Sequence, residues 1–424
     1  PCCAKCARFR LFGSQLPNGL DFSGVRAEIV EMLERVLVTS IRRDLDERIV
    51  LVSGPRQSGK TTLSRSLGLD HDYFNYDAAP DRLRLMERSW DRSKPLVIFD
   101  ELHKMRAWKA WLKGIYDTEG ARPRLLVTGS ARLDTHRRAG DSLAGRYFRH
   151  RLHPLDLAEV RGHLSPDDAL ERMLRLGGFP EPFLRGEERF YKRWRQTHAD
   201  IIVRQDLVEL ETVKDIHGIE TLVELLRHRV GSPVSFASLA RDLERDAKTI
   251  KRWLELLESL YVVFRISPWH RNIARSLLKE PKYYFYDTGA VLSGDGGRFE
   301  NLVACALLKA LHGIEDVDGD RTTLSYLRTK DGHEIDFFVS IEGRPPLLIE
   351  AKWSDAEPTR AFAYFERFMK GERNFDVLFE PTDRKSLAGW TLTRNYLILN
   401  ELDNVKNRLY EVQYKGGKWN RRPI

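Results

Sequence analysis

The stretch GPRQSGKTT, Gly54 to Thr62, decides the fold of the N-terminal half of this chain. It follows IVLVS, residues 49–53, an apolar and β-branched run that is typical of a strand buried on both faces of a parallel sheet. The stretch matches the pattern G-x-x-x-x-G-K-[ST] at every fixed position. The sequence therefore predicts a strand, a phosphate-binding loop and a helix, in that order.

Each fixed position of this loop has a physical task in holding nucleotide phosphates. Gly54 and Gly59 allow the backbone to turn so that successive N–H groups point at phosphate oxygens. Lys60 is expected to reach the β- and γ-phosphates, and Thr61 to bind Mg²⁺ through its hydroxyl group. The residues predicted to contact the nucleotide are Gly54, Pro55, Arg56, Gln57, Ser58, Gly59, Lys60, Thr61 and Thr62.

A second apolar run ends in two carboxylates. LVIFDE, Leu96 to Glu101, predicts a buried strand with Asp100 at its tip. We expect Asp100 to hold Mg²⁺ together with Thr61, directly or through a water. Glu101 is then placed to polarise the attacking water, because hydrolysis requires an oriented nucleophile. Lys60 and Glu101 are therefore predicted to be catalytic.

Further candidates for contact with the γ-phosphate follow the second carboxylate. RLLVTGS, residues 124–130, predicts a third strand, and either Thr128 or Ser130 at its end is a candidate for contact with the γ-phosphate or the water. Arginines follow, and an arginine that reaches the γ-phosphate, from its own or a neighbouring subunit, stabilises charge in the transition state. Arg146 is the first candidate and Arg132 the second. A solvated loop or a nucleic-acid contact is the alternative for these arginines.

Strands alternate with helices from Ile49 to about Leu155, which predicts an α/β domain with a parallel sheet. No N-K-x-D motif for guanine recognition follows a predicted strand. ATP with Mg²⁺ is therefore the expected cofactor pair.

Five segments in this order resemble the AAA-like prokaryotic ATPases that are related to archaeal ATPases: GPRQSGKTTL, LVIFDELHKM, LLVTGSARL, DSLAGRYFRHRLHPLDLAEV and LGGFPEPF. The resemblance spans about Met32 to Glu380. It implies an ASCE-type P-loop fold with ATP binding and hydrolysis. It also implies a winged-helix segment and a restriction-endonuclease-like domain in a C-terminal region of unknown function, but no physiological role.

The middle of the chain is expected to be helical and then to form a winged helix-turn-helix. Residues 156–211 predict a helical lid or connector, and residues 212–290 predict two helices followed by two strands around a basic loop. The second helix, AKTIKRWLELLESL, places Lys248, Lys251 and Arg252 away from its apolar face. These side chains are expected to contact phosphates of double-stranded DNA. Packing against other domains or partners is the alternative.

A helix and three strands near the C-terminus carry a second set of candidate residues. Glu300 lies in the first turn of the helix, Asp336 in EIDFFVS, and Glu350 and Lys352 in PLLIEAKW. The arrangement resembles the D…E-x-K core of restriction-endonuclease-like nucleases. By that resemblance Asp336 and Glu350 bind Mg²⁺ with help from Glu300, and Lys352 orients or deprotonates the water. An inactive nuclease-like fold that binds partners or DNA is the alternative.

The composition predicts a cytoplasmic protein with no membrane partner. The chain has 424 residues and a formal net charge of +8, without an apolar run of the length that spans a bilayer or a signal peptide. Cys2, Cys3 and Cys6 crowd the N-terminus and Cys305 stands alone, which is neither a disulfide framework nor a complete zinc-ligand set.

Six segments follow from these patterns, and they define the functional hypotheses. They are a disordered extension (1–31), an AAA-like ATPase domain (32–155), a helical connector (156–211), a winged helix (212–290), a restriction-endonuclease-like domain (291–400) and a basic tail (401–424). We expect an ATP-hydrolysing protein, homo-oligomeric, with a C-terminal module that binds nucleic acid or a partner. The alternatives are an ATP-controlled DNA nuclease, a non-hydrolysing ATP switch and a P-loop kinase. Glu101 argues against the switch, which needs no water-polarising carboxylate.

Overall fold

The computed structural model describes most of the chain beyond its first 32 residues. The described residues are 33, 35–120, 122–129, 143–200, 215–269, 280–329, 333–354, 359, 362, 365, 378, 382, 384–393, 396–404, 406–415 and 418–424. They divide into two compact units, residues 1–363 and residues 364–424. The predicted N-terminal extension lies outside the described residues.

The N-terminal part of the first unit is a parallel sheet with helices on both faces. Its strands are β1 (Ile49–Ser53), β2 (His71–Asn75), β3 (Leu96–Asp100), β4 (Arg124–Thr128) and β5 (Tyr147–Arg151), and its helices are α1 (Leu37–Leu45), α2 (Lys60–Arg65), α3 (Ala79–Met86) and α4 (Trp108–Glu119). The strand order is β2-β3-β4-β1-β5, and every pairing is parallel. The predicted α/β fold with a parallel sheet is confirmed.

The order of the strands fixes where their ends meet. β1 and β3 are buried along their whole length, as their apolar sequences predict. β4 lies between them, with Asp100 paired in register with Thr128. Because the strands are parallel, the loop after β1 and the polar ends of β3 and β4 meet at one edge of the sheet.

Three helices form the connector after the sheet: α5 (Pro166–Leu176), α6 (Pro180–Arg185) and α7 (Glu188–Asp200). Ser165 caps α5 by accepting a hydrogen bond from the Asp168 N–H. Between α5 and α6 the turn at Gly177 and Gly178 approaches the chain that leaves β5. The Leu155 N–H donates to the Gly178 carbonyl at 2.7 Å, which anchors the connector to the sheet.

The remaining described residues of the first unit form a second sheet, which packs with its helices around a large hydrophobic core. It contains α8 (Ile216–Arg227), α9 (Phe236–Asp242), α10 (Ala247–Ser259), β6 (Val263–Pro268), β7 (Lys282–Phe285), α11 (Gly294–Val317), β8 (Thr322–Arg328), β9 (Glu334–Ile341) and β10 (Leu347–Ile349). The strand order is β10-β9-β8-β6-β7. The segments 212–290 and 291–400, which the sequence analysis separates, therefore share a sheet. Their side chains, Leu254 and Phe337 among them, pack in the same core cluster.

The predicted helix–helix–strand–strand order of residues 212–290 is present in α9, α10, β6 and β7. Asp246 caps α10 by accepting hydrogen bonds from the backbone N–H groups of Lys248 and Thr249, each at 2.9 Å. The buried residues of α10 are Ile250, Trp253, Leu254 and Leu257. Lys248, Lys251 and Arg252 are exposed on the opposite side, as predicted. The basic loop between β6 and β7 lies at residues 270–279, outside the described residues.

The second unit contains an antiparallel sheet, and the residues of the predicted basic tail form part of its strands. Its strands are β11 (Lys385–Leu392), β12 (Leu397–Asp403), β13 (Lys406–Lys415) and β14 (Lys418–Pro423), in the order β11-β12-β13-β14. Arg421 pairs at 2.7 Å with the buried carboxylate of Glu401, and Arg422 pairs with Glu411. These two arginines of the predicted tail therefore have acidic partners within the sheet.

In the part of the chain that the structure describes, helices long and apolar enough to cross a membrane are absent.

The close approach at Gly178 gives a stability prediction. A Cβ at Gly178 would lie 2.3 Å from the Leu155 carbonyl oxygen, whereas a Cβ at Gly313, inside α11, meets no described atom within 4 Å. Gly178→Ala should lower the free energy of unfolding by about 1–3 kcal/mol through overpacking. Gly313→Ala is the control and should be neutral or stabilising, because alanine favours a helix over glycine. Equal melting temperatures for the two variants would contradict the described contact.

Candidate nucleotide site

The loop after β1 adopts the conformation that its glycines permit. Gly54 and Gly59 have φ angles of 149° and 93°, in the region that favours glycine. A Cβ at Gly54 would lie 2.2 Å from the Leu152 carbonyl oxygen, so the loop packs directly against the end of β5. The Lys60 ammonium group lies over the loop and donates to the carbonyls of Gly54, at 3.1 Å, and Pro55, at 2.6 Å.

Asp100 accepts hydrogen bonds from hydroxyl groups on three different elements. The Thr61 hydroxyl donates to Asp100 Oδ2 at 2.8 Å, and the Tyr73 hydroxyl donates to the same oxygen at 2.5 Å. The Thr128 hydroxyl donates to Oδ1. Mg²⁺ prefers oxygen ligands, so the adjacent Thr61 hydroxyl and Asp100 carboxylate fit the ion. The structure thus brings together the two residues predicted to hold it.

Glu101 follows in an unusual backbone conformation. Its φ angle is 56°, a left-handed conformation that is uncommon for residues other than glycine and often marks functional sites. The Glu101 N–H donates to the Thr128 carbonyl at 3.0 Å, which fixes the turn. Burial raises the pKa of the Glu101 carboxyl, and the positive charges of Lys104 and Lys60 offset part of the rise. Its Oε2 lies 3.6 Å from Lys104 Nζ.

A buried arginine that the sequence analysis did not single out supports the loop from beneath. Arg35 is 8% exposed. Its guanidinium group donates to the Ser58 carbonyl of the loop at 2.9 Å and to the carbonyl of His153. It also pairs with Glu159 at 2.9 Å. Arg35 therefore connects the phosphate loop to the segment that follows β5.

The same network continues to the long helix α11. Lys309 of α11 pairs with the second carboxylate oxygen of Glu159 and, at 2.9 Å, with Asp156. One turn further along, His312 contacts His153 at 2.8 Å between ring nitrogens. Burial lowers the pKa of both histidines, and so favours their neutral forms. These contacts border a largely apolar cavity of about 260 Å³.

The connector helices also contact the phosphate loop. Pro180, at the start of α6, lies 3.7 Å from the position of a Cβ on Gly59. The His198 ring of α7 stacks on Trp194, with 4.5 Å between ring centroids. Its Nε2 lies 3.4 Å from the Arg56 carbonyl oxygen. The segment 156–211, predicted as lid or connector, thus touches the loop at two points.

The structure does not bring Arg146 to the phosphate loop of its own chain. Arg146 precedes β5, and its carbonyl accepts from the Ile49 N–H at the start of β1, whereas the loop follows the end of β1. Its guanidinium pairs with Asp117 at 2.8 Å. Contact with a neighbouring subunit's nucleotide stays a prediction. Ser130 and Arg132 lie outside the described residues.

Two of the residues predicted for a nuclease-like site, Glu300 and Asp336, lie close to a buried lysine. The Lys282 side chain is 1% exposed, and its Nζ lies 2.7 Å from Glu334 Oε1, 3.3 Å from Glu300 Oε1 and 3.9 Å from Asp336 Oδ1. The Tyr284 hydroxyl also donates to Glu300 Oε1, at 2.7 Å. Burial alone would lower the pKa of Lys282, but Glu300 and Glu334 raise it above its ordinary value. Burial, reinforced by Glu300, raises the pKa of Asp336 to about 6.

The other two predicted residues pair with each other. Glu350 Oε1 lies 2.9 Å from Lys352 Nζ, and Glu350 Oε2 accepts from the Thr359 N–H at 3.1 Å. Asp336 Oδ2 accepts from the Ala351 N–H at 2.8 Å. Over the described residues, no group of three or more His, Cys, Asp or Glu side chains is arranged to hold a metal ion.

Three protein families match successive parts of the chain. Residues 46–161 match the family described as AAA domain. Residues 167–294 match a domain of unknown function (DUF8612), and residues 295–390 match a second domain of unknown function (DUF4143). The AAA match covers the parallel sheet and the phosphate loop, so the nucleotide-binding part of the chain is an AAA-like P-loop domain.

Several uncharacterised proteins are similar over most of their length. Mb2031c of Mycobacterium bovis and Rv2008c of Mycobacterium tuberculosis are each 30% identical over 349 residues, which cover 77% of this chain and 76% of theirs. MJ1544 of Methanocaldococcus jannaschii is 22% identical over 403 residues, covering 84% of this chain and 87% of its own. The similarity therefore extends well beyond the AAA domain.

Two solved structures show weaker likeness. A RuvB variant of Thermotoga maritima is 17% identical, with 58% of this chain and 89% of that chain covered and a TM-score of 0.28. A STAND signal-transduction ATPase with a tetratricopeptide repeat sensor, from Pyrococcus horikoshii, is 13% identical, with 66% and 47% covered and a TM-score of 0.20. At these scores neither likeness supports an argument.

The buried position of Arg35 gives a second stability prediction. Arg35→Met leaves one oxygen of the Glu159 carboxylate without its cation, so the free energy of unfolding should fall by about 3–5 kcal/mol. Arg48→Met removes an exposed arginine and should change stability by no more than about 0.5 kcal/mol. Denaturant unfolding of both variants measures the difference. An Arg35→Met protein as stable as Arg48→Met would show that the buried pair contributes nothing.

Proposed function

Because the chain belongs to the family of the uncharacterised mycobacterial proteins Mb2031c and Rv2008c and carries an AAA domain, we propose that it binds ATP with Mg²⁺ and hydrolyses it. The observation that carries the proposal is the 2.8 Å contact between the Thr61 hydroxyl and the Asp100 carboxylate. This contact joins the phosphate loop to the carboxylate strand at the one edge where a nucleotide and its metal meet.

Each residue of this edge has a task in the proposed reaction. The loop N–H groups and the Lys60 ammonium bind the phosphates, and Thr61 with Asp100 holds Mg²⁺. The bound ion neutralises charge that develops on the phosphate oxygens. Tyr73 and Thr128 donate hydrogen bonds to Asp100 and so fix its orientation. Second contacts of this kind tune and orient a metal ligand.

Glu101 is the proposed acceptor for the proton of the attacking water. Its raised pKa, caused mainly by burial, makes the carboxylate a better acceptor than an exposed one. The bond from the Glu101 N–H to the Thr128 carbonyl fixes the backbone of Glu101, the residue that follows the proposed Mg²⁺ ligand. As pH falls through the pKa of Glu101 the carboxylate is protonated, so turnover should decline at a higher pH than for an exposed glutamate.

Variants of the two charged residues separate binding from turnover. Lys60→Ala should abolish ATP binding, because it removes the cation that contacts the phosphates. Glu101→Gln should retain binding and lose turnover, because only the proton acceptor changes. Calorimetric binding of ATP and release of inorganic phosphate measure the two effects, and Glu87→Gln, at an exposed site, is the matched control. Wild-type turnover in Glu101→Gln would show that another group activates the water.

We also propose that the C-terminal half binds double-stranded DNA through α10. The supporting observation is the exposure of Lys248, Lys251 and Arg252 opposite the buried face of the helix. Lysine and arginine on such a face contact phosphates, which gives affinity without choice of sequence. ATP binding and DNA binding then occupy different parts of the first unit. An oligomer in which Arg146 reaches a neighbour's nucleotide is a further part of the proposal.

A charge-reversal variant tests the DNA contact. Replacing Lys248, Lys251 and Arg252 together with glutamate should weaken DNA binding for all sequences and reduce its dependence on salt, because fewer counterions are released. A triple replacement of the exposed residues Arg189, Lys192 and Arg193 on α7 changes the net charge equally. Fluorescence anisotropy with labelled duplexes at several salt concentrations compares the two. Equal binding by the two triple variants would remove the contact from α10.

A further inference from the structure

We infer that the ammonium group of Lys282 is the permanent counter-cation of the Glu300, Glu334 and Asp336 carboxylates, in the place where a nuclease of the D…E-x-K type holds its metal ion. The C-terminal half would then keep the arrangement of strands and carboxylates without the metal-dependent cleavage. The inference concerns residues remote from the phosphate loop and does not depend on ATP hydrolysis.

The ammonium group of Lys282 lies among the three carboxylates. Lys282 Nζ lies 2.7 Å from Glu334, 3.3 Å from Glu300 and 3.9 Å from Asp336. These three carboxylates come from α11 and β9, and the lysine comes from β7 on the far side of the same sheet. A Mg²⁺ ion requires oxygen ligands at about 2.0–2.1 Å in octahedral geometry. The ammonium occupies the centre that those oxygens would have to share.

The second carboxylate oxygen of Asp336 has a partner in the backbone. Ile349 of β10 pairs with Phe337 of β9, so the next residues, Glu350 and Asp336, face each other. Yet Asp336 Oδ2 accepts from the Ala351 N–H at 2.8 Å. The backbone therefore already binds one of the two Asp336 oxygens.

The lysine of the E-x-K pattern, Lys352, pairs with the glutamate of the same pattern. Lys352 Nζ lies 2.9 Å from Glu350 Oε1, while the Thr359 N–H bonds to Glu350 Oε2. The Glu350 side chain is 7% exposed and the Lys352 side chain 39%, so the carboxylate is buried beneath a partly exposed lysine. In this arrangement Lys352 neutralises Glu350 rather than orienting a water.

Removing the lysine would expose three acids to one another. Glu334 would keep Arg328 at 3.4 Å, Glu300 the Tyr284 hydroxyl and Asp336 the Ala351 N–H. The three carboxylates would still repel one another, because the cation that they share is gone. A divalent cation would then relieve the repulsion that Lys282 relieves in the parent protein. The inference therefore predicts that sensitivity to Mg²⁺ or Mn²⁺ is created by removing Lys282, and that the parent lacks it.

The test measures melting temperature with and without MgCl₂ or MnCl₂, in nucleotide-free Lys60→Ala protein so that the phosphate loop does not contribute. Ionic strength is matched with NaCl. Lys60→Ala alone should show no metal-dependent rise. Lys60→Ala with Lys282→Met should melt at a lower temperature and recover part of the loss with metal, through preferential binding to the folded state. Lys60→Ala with Lys282→Arg keeps a cation and should stay insensitive to metal.

Other outcomes overturn the inference. A metal-dependent rise in Lys60→Ala that disappears in Asp336→Asn or Glu350→Gln would place a metal at this site. Melting of the Lys282→Met variant at the temperature of its parent would show that the carboxylates need no counter-cation. If Lys282→Met does not fold, nicking of plasmid DNA by the wild type decides. Metal-dependent nicking by the wild type that Glu350→Gln abolishes overturns the inference. Identical results for the wild type and the Glu350→Gln variant support it.

Discussion

The buried pair of Arg35 and Glu159 is the contact on which much of the first unit depends. A guanidinium group removed from water is tolerated only when its donors are satisfied. Arg35 meets that requirement with the Ser58 carbonyl, the His153 carbonyl and Glu159. The Arg35 side chain thus fixes the distance between the phosphate loop and the segment that follows β5. Glu159 in turn contacts Lys309, so the same requirement reaches α11.

At the edge of the sheet that carries the candidate nucleotide site, hydrogen bonds fix a few side chains in place. Asp100 receives hydrogen bonds from hydroxyls on three separate elements, and Glu101 follows it in a left-handed conformation. A strained residue persists only where its surroundings determine its position. Here Thr128 of β4 bonds to both residues: its hydroxyl donates to Asp100, and its carbonyl accepts from the Glu101 N–H. These contacts fix the positions of both carboxylate residues, and fixed groups are the condition under which electrostatic stabilisation is most effective.

The sequence was sufficient for features that depend on local pattern. β1 and β3 were predictable from apolar runs, and the meeting of Thr61 with Asp100 followed from parallel strand geometry. Arg146 shows the limit of such reasoning. Its proximity in sequence to a strand does not say at which end of the sheet its side chain acts, and the register of β5 on β1 decides that.

Contacts between distant segments were beyond prediction for a physical reason. Lys282 opens an aromatic strand, and nothing in its neighbours indicates that carboxylates from α11 and β9 surround it. Arg35 and Glu159 are likewise separated by most of the AAA domain. An ion pair leaves no periodic trace in a sequence, whereas a buried strand does. The pairing of β6 with β8 across the predicted boundary at residue 290 left no such trace either.

The pairing of β6 with β8 also constrains how the chain folds as it is synthesised. Ser267 and Pro268 pair in parallel with Ser325 and Tyr326, which leave the ribosome only after all of α11. Parallel pairing across such a separation carries a large loop-closure cost and is slow. The N-terminal sheet, by contrast, has all its strands once residue 151 has emerged. A nascent chain that pauses between these points would hold a finished phosphate loop beside exposed, unpaired strand edges, the state in which growing chains are most prone to aggregate.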